Sequence, residues 1–157
     1  MKNGGLKTRA ALLNDFYRRH EYSFQCLYYP GRIFEILFNA PPHAQLISSH
    51  FAIEELMLHK AKLIKLSGFV EGEVDILLSS ILKQIEFISE DIIESEHWEY
   101  ADRLTSGVDS KDVSFVALAV QTGGWLWTGD KKLSVHLKSM GFDRVINTAE
   151  LYSQLEI

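Results

Sequence analysis

Between Asp109 and Leu133 the chain runs through a helix, a glycine stop, a short apolar strand and a second helix start, with an acid at each helix entrance. Asp109-Ser110-Lys111-Asp112 opens the first helix, Phe115 to Val120 gives it an apolar face, and Gly123-Gly124 ends it. Trp125-Leu126-Trp127-Thr128 reads as a buried strand, and Thr128-Gly129-Asp130 turns out of it into a helix over Lys131 to Met140, closed by Gly141. A strand that turns directly into a helix commits the chain to α/β order. It also sets Asp130 at the C-terminal end of a strand, where open α/β sheets hold their ligands. Asp112 starts the preceding helix and can face the same crevice. Two carboxylates at one spot raise the cost of ionising each other unless a cation intervenes.

The rest of the chain keeps the alternation. Gly31 to Asn39 predicts a mostly buried helix that ends before Pro41-Pro42, and Ala44 to Ser48 a short strand. Ser48 or Ser49 can cap the next helix, which carries Ile53, Leu56, Met57, Leu63 and Ile64 at helical spacing and stops near Gly68. Glu54 and Glu55 lie in its first turns, again just past a strand. Val70 to Lys83 is amphipathic, Ile85 to Ile88 is a strand candidate, and Ser89 to Leu104 is acidic and helical, with Trp98 and Tyr100 as packing residues. A strand near Arg144 to Ile146 leads into a helix whose Asn147 and Glu150 have capping-box spacing. Strands alternating with helices predict a three-layer α/β/α fold with a mostly parallel central sheet. The N-terminus reads less clearly: Thr8 to Arg19 as a weakly patterned helix, and Tyr22 to Tyr29 as the best local strand.

With 157 residues and 46% apolar content, one core is affordable and two domains are not. A net charge of −5 argues against the broad cationic surface of a duplex binder, although clustered acids that hold a cation would inflate that count. The single cysteine, Cys26, forms no internal disulfide, which fits a reducing compartment. No apolar run approaches membrane-spanning length and no signal-peptide core opens the chain, so a soluble cytoplasmic protein is expected. The histidines lack zinc-site spacing, and neither a nucleophile elbow nor a glycine-rich phosphate loop is present.

Three stretches resemble the PIN-domain family of metal-dependent ribonucleases. They are Asp112-Val113-Ser114-Phe115-Val116-Ala117-Leu118-Ala119, then Leu126-Trp127-Thr128-Gly129-Asp130-Lys131-Lys132-Leu133, and Gly141-Phe142 with Val145-Ile146-Asn147-Thr148-Ala149-Glu150-Leu151. A further match lies at Phe51-Ala52-Ile53-Glu54-Glu55-Leu56, followed by His59-Lys60 and Leu63. The resemblance spans about Gly31 to Leu151, dividing the chain into a divergent segment 1–30, part of the same domain or poorly packed against it, and a PIN-like domain 31–157. It implies RNA as substrate and Mg²⁺ or Mn²⁺ held by Glu55, Asp112 and Asp130, with Asp109 and Glu54 as supporting acids. Thr128 matches the hydroxyl near the last acid, and Lys60, Lys131 and Lys132 are candidate phosphate contacts. A toxin role beside a cognate antitoxin, and a homodimer, follow from the same likeness.

Proteins of this family open with an apolar strand ending in Asp-Thr-Asn. Here Met1 to Asn14 holds no acid, Gly4-Gly5, Lys7, Thr8 and Arg9 suit a central strand poorly, and neither Asp15 nor Glu21 follows a clear strand. The first family acid is therefore expected to be absent, through true divergence, a misplaced start or an upstream frameshift. Two functions stand against each other on this basis: an endoribonuclease, or a catalytically impaired PIN-fold binding or interaction module. Ordinary structural roles also remain open: Asp109 as a helix cap, Asp112 and Asp130 as acids favouring a helix's positive end, the lysines as solvated faces.

Overall fold

The computed structural model describes residues 8–12, 31–108 and 110–157, with backbone alone at 8–12, 66 and 110. Among these residues five strands form one sheet, every adjacent pair parallel. They are β1 (Thr8–Leu12), β2 (Ala44–Ser49), β3 (Glu86–Ile88), β4 (Trp125–Trp127) and β5 (Val145–Ile146), in spatial order β3-β2-β1-β4-β5. The helices are α1 (Arg32–Asn39), α2 (His50–Leu58), α3 (Lys60–Ser67), α4 (Glu71–Leu82), α5 (Ser95–Thr105), α6 (Val113–Thr122), α7 (Lys131–Ser139) and α8 (Thr148–Gln154).

The three-layer α/β/α arrangement follows from the two-residue repeat of the strands, which sends neighbouring side chains to opposite faces. Leu46, Trp127 and Ile146 point to one side, where they meet Ile36 and Leu37 of α1, Ile81 of α4 and Leu151 of α8. Ile47, Leu126 and Val145 point to the other, against Leu104 of α5, Phe115 to Ala119 of α6 and Leu133 and Leu137 of α7. Covering both faces is what a buried parallel sheet requires. Polar contacts fix the layers: Tyr152 Oη donates to Glu35 Oε2 at 2.5 Å, with Arg32 stacked 5.6 Å over the same ring, tying α8 to α1. Leu63, Val74 and Leu78 make a small separate cluster among α2, α3 and α4.

The N-terminal expectation is overturned. Thr8 to Leu12 is strand, not the start of a helix, and it occupies the centre of the sheet that its composition argued against. Alanine, leucine and arginine favour helix locally. The residues are held instead by ladders on both edges, with Ala11 level with Ile47 of β2 and with Leu126 of β4. Pairing on two sides outweighs a weak local preference. The boundary drawn at residue 30 thus separates a strand from the sheet it centres. The strand expected at Tyr22 to Tyr29 lies outside the described residues.

Smaller corrections concern where helices begin and break and which aromatics pack. The helix after β2 breaks at His59, whose N–H reaches both Glu55 O and Leu56 O. The acidic stretch from Ser89 begins with a 3-10 turn at Glu90–Ile92, and its helix proper starts at Ser95. Tyr100 is exposed beneath Arg103 rather than packed, while Trp98 does lie against the core.

Candidate active site

From β1 the chain steps outward to β2 and β3, then returns across β1 to β4 and out to β5. The reversal leaves a crevice beyond the C-terminal ends of β1 and β4, the place where doubly wound sheets take ligands. Leu12 ends β1 level with Trp127, the last residue of β4, so the two strands stop together at this crevice.

Asp130 arrives there through a turn that the local sequence builds. Thr128, 1% exposed, accepts the Asp130 N–H on Oγ1 at 3.0 Å. Asp130 Oδ1 then accepts the Lys132 and Leu133 N–H groups at 2.8 and 3.0 Å, capping α7. The capping role is therefore real. It does not exhaust a carboxylate, which has two oxygens and about four acceptor positions. Thr128 acts here by fixing the turn.

Asp112 reaches the same end of the sheet from the other direction. α6 runs back along the sheet, packed across β1, β2 and β4, and enters β4 through Gly123 and Gly124. Gly123 takes a φ of +66°, a conformation that costs little only for glycine. Because α6 ends where β4 begins, its N-terminus stands beyond the strands' C-terminal ends. Asp112 occupies the cap position there, 3% exposed, yet makes no side-chain cap bond to α6. Helix capping consequently does not account for this carboxylate. A carboxylate is held out of water only where hydrogen bonds or opposite charge compensate it. Asp109, the expected cap, lies outside the described residues; α6 begins after a 3-10 turn, Ser110–Asp112.

Glu55 comes from the second turn of α2, just past β2, and is half-buried, whereas Glu54 is exposed. Ser49, at the cap position of α2, makes no side-chain cap bond, and its buried Oγ meets no partner among the described residues. Glu90, from the segment after β3, does this work by accepting the Phe51 N–H at 2.8 Å.

Glu55, Asp112 and Asp130 thus belong to the N-terminal parts of three different helices, α2, α6 and α7. Their donors are all carboxylate oxygens, the set a hard divalent cation prefers. The Asp112 carboxyl, buried and making no side-chain cap bond to α6, fits such a group. Among the described residues, however, the group of three acid or histidine ligand atoms that closes within 4.8 Å is a different one, Glu94, Glu96 and His97 at the start of α5.

Of the lysines, Lys60 is turned away. Its ammonium lies 3.1 Å from Glu71 and 2.6 Å from Asp75, an α4 pairing that accounts for it structurally. Lys131 and Lys132 are exposed on the first turn of α7, beside Asp130. The sequence reading passed over Lys111. With Phe51, Glu54, Glu90, Trp98 and Ser114 it lines a cavity of about 310 Å³ on the β3 side of the acids. Partial burial, Lys62 and Lys111 together hold the His59 imidazole below its ordinary pKa of 6.5. Lys111's position directly before Asp112 was the available signal. Glu90 and Trp98 gave none, since they reach the site across the fold.

Comparisons with known proteins bear on the fold and the family. Curated proteins give no match. The crystal structure of PAE2754 from Pyrobaculum aerophilum superposes over 98% of this chain and 93% of its own, with a TM-score of 0.63 at 15% identity, a likeness of fold. The sequence profile of the PIN domain, a nuclease-like family generally dependent on divalent metals, matches residues 25–150. With its parallel sheet and its acids at the strand ends, this chain belongs to the PIN-domain family.

Proposed function

We propose that this protein is an endoribonuclease that hydrolyses RNA phosphodiesters with Mg²⁺ or Mn²⁺ held by Glu55, Asp112 and Asp130. The observation that carries the reading is the placement of the two α6–β4–α7 acids. Asp112 is buried without capping its helix, and Asp130 is fixed by Thr128 at the switch point of the sheet. A bound divalent ion supplies charge neutralisation at the scissile phosphate and a more acidic water. The chain's own contribution is placement. Asp130 is held through Oδ1 by two backbone N–H groups, and Thr128 keeps the turn from relaxing. Lys131, Lys132 and Lys111 offer charge to the RNA backbone around this centre.

The competing reading is a PIN-fold interaction module without chemistry. It is favoured by one observation, that the acids closing within 4.8 Å among the described residues are not these three. A toxin role with a cognate antitoxin, dimerisation and a cytoplasmic location belong to the proposal and rest on family likeness; no helix among the described residues is long and apolar enough to cross a membrane. Calorimetric titration of Mn²⁺ into wild type and Asp130→Asn, with RNA cleavage assayed for both, separates the two readings. Ion-dependent cleavage lost in the variant supports the enzyme. Neither binding nor cleavage in wild type establishes the module.

A further inference from the structure

We propose that the cavity on the β3 side of the acids is a nucleobase pocket, which seats one unstacked base of single-stranded RNA beside the scissile phosphate. The ligand's identity as RNA rests on the ribonuclease reading; the pocket itself is argued from its lining. Its 310 Å³ falls at the small end of the roughly 300–1,000 Å³ of small-molecule sites. Two aromatic rings line it, Phe51 from α2 and Trp98 from α5. Phe51 is 37% exposed, a large apolar surface left open at the mouth of a polar site. Aromatic side chains beside a phosphate-handling centre are the usual means of holding a splayed base, since every base has a stacking face.

The polar lining narrows the choice of base. Glu54 and Glu90 present acceptors, and the Ser114 hydroxyl is buried with no hydrogen-bond partner among the described residues. A buried polar atom left in this state calls for a ligand or water to complete it. Carboxylate acceptors match the exocyclic amino groups of adenine, cytosine and guanine and meet only carbonyl oxygens at the corresponding places of uracil. Lys111, on the same wall and next in sequence to Asp112, supplies the cation for the phosphate that joins this base to the acids. A base paired in a duplex cannot enter, so the pocket selects single strands.

The test measures binding of fluorescein-labelled oligoadenylate, oligocytidylate and oligouridylate octamers by anisotropy without divalent ion, and cleavage of the same octamers with Mn²⁺. Trp98→Ala and Phe51→Ala should each weaken oligocytidylate binding and raise KM about tenfold, the scale of one stacked base. Trp98→Phe should stay within about twofold, because a ring remains. Circular dichroism confirms folding, and Phe51, being more exposed, guards against a Trp98 variant that fails to fold. Oligouridylate should bind several-fold more weakly than oligocytidylate, and Glu90→Gln, which keeps an acceptor for the Phe51 N–H, should erase that difference. Unchanged affinity and KM in both alanine variants would overturn the pocket while leaving the nuclease reading intact. Weakened binding by the alanine variants, with no cleavage by wild type, would sustain the pocket and remove the nuclease.

Discussion

Glu94, Glu96 and His97 bring their ligand atoms within 4.8 Å inside one helical turn, whereas Glu55, Asp112 and Asp130 come from three elements distant in sequence and share only the end of the sheet. The first group is explained by its helix. Acids at the start of α5 favour its positive end, and Gln121 Oε1 accepts the Glu94 N–H at 2.7 Å and lies 3.2 Å from His97 Nδ1. Its closeness is cheap, because neighbours in a helix turn are close by construction. Bringing Asp112 and Asp130 to one crevice takes the whole sheet and the return of the chain to β4. Proximity alone thus selects the α5 group, whereas the proposed site rests on topology.

The largest expected effect breaks this comparison directly. Asp130→Asn keeps the side-chain oxygen that caps α7, since asparagine caps about as well as aspartate, yet it removes the charge a cation needs. Its Mn²⁺-dependent cleavage of RNA should fall at least as far as the roughly 10–100-fold that loss of a supporting contact to a metal ligand costs. Glu96→Gln should leave the rate within about twofold, as exposed substitutions remote from a site usually do. A reversed outcome in parallel single-turnover assays would move the site to α5.

How much of this was legible depended on where the determining contacts lie. The C-terminal half was readable because its signals are local: Gly123 stops α6, and Asn147 and Glu150 cap α8 by exchanging bonds of 2.9 and 3.0 Å. β1 was not, because five residues of ordinary composition became the central strand through partners at β2 and β4. The Glu90 cap on α2 likewise joins residues far apart in the chain. Finding β1 removes the ground for treating the family's first acid as absent, since Asn14 and Asp15 follow that strand in sequence, outside the described residues. Asp15→Asn is therefore expected to lower Mn²⁺ affinity and cleavage about 10–100-fold. An unchanged rate would mean that the remaining acids act without it.

A smaller effect separates the structural from the chemical duty of Asp130. Asp130→Ala loses both N–H contacts to Oδ1 and should cost about 1 kcal/mol in urea unfolding, whereas Asp130→Asn should cost close to nothing. Equal losses in the two variants would mean that the charge, not the cap, stabilises this corner, contrary to the division of labour drawn here.

The smallest effect concerns His59, at the break between α2 and α3. Desolvation depresses its pKa first, then the charges of Lys62 and Lys111. The folded protein therefore resists a proton that the unfolded chain accepts below about 6.5. Its contribution to stability is complete above that value and is lost as pH falls from there toward the depressed folded pKa, below which both states are protonated. Lys62→Met removes the larger of the two charge effects, so the His59 ring resonance should titrate at higher pH in the variant and the acid-side loss of Tm should shrink. Should the wild-type ring already titrate at or above 6.5 by NMR, the positive surroundings assigned to this break, and the approach of Lys111 to it from the turn before α6, would both be wrong.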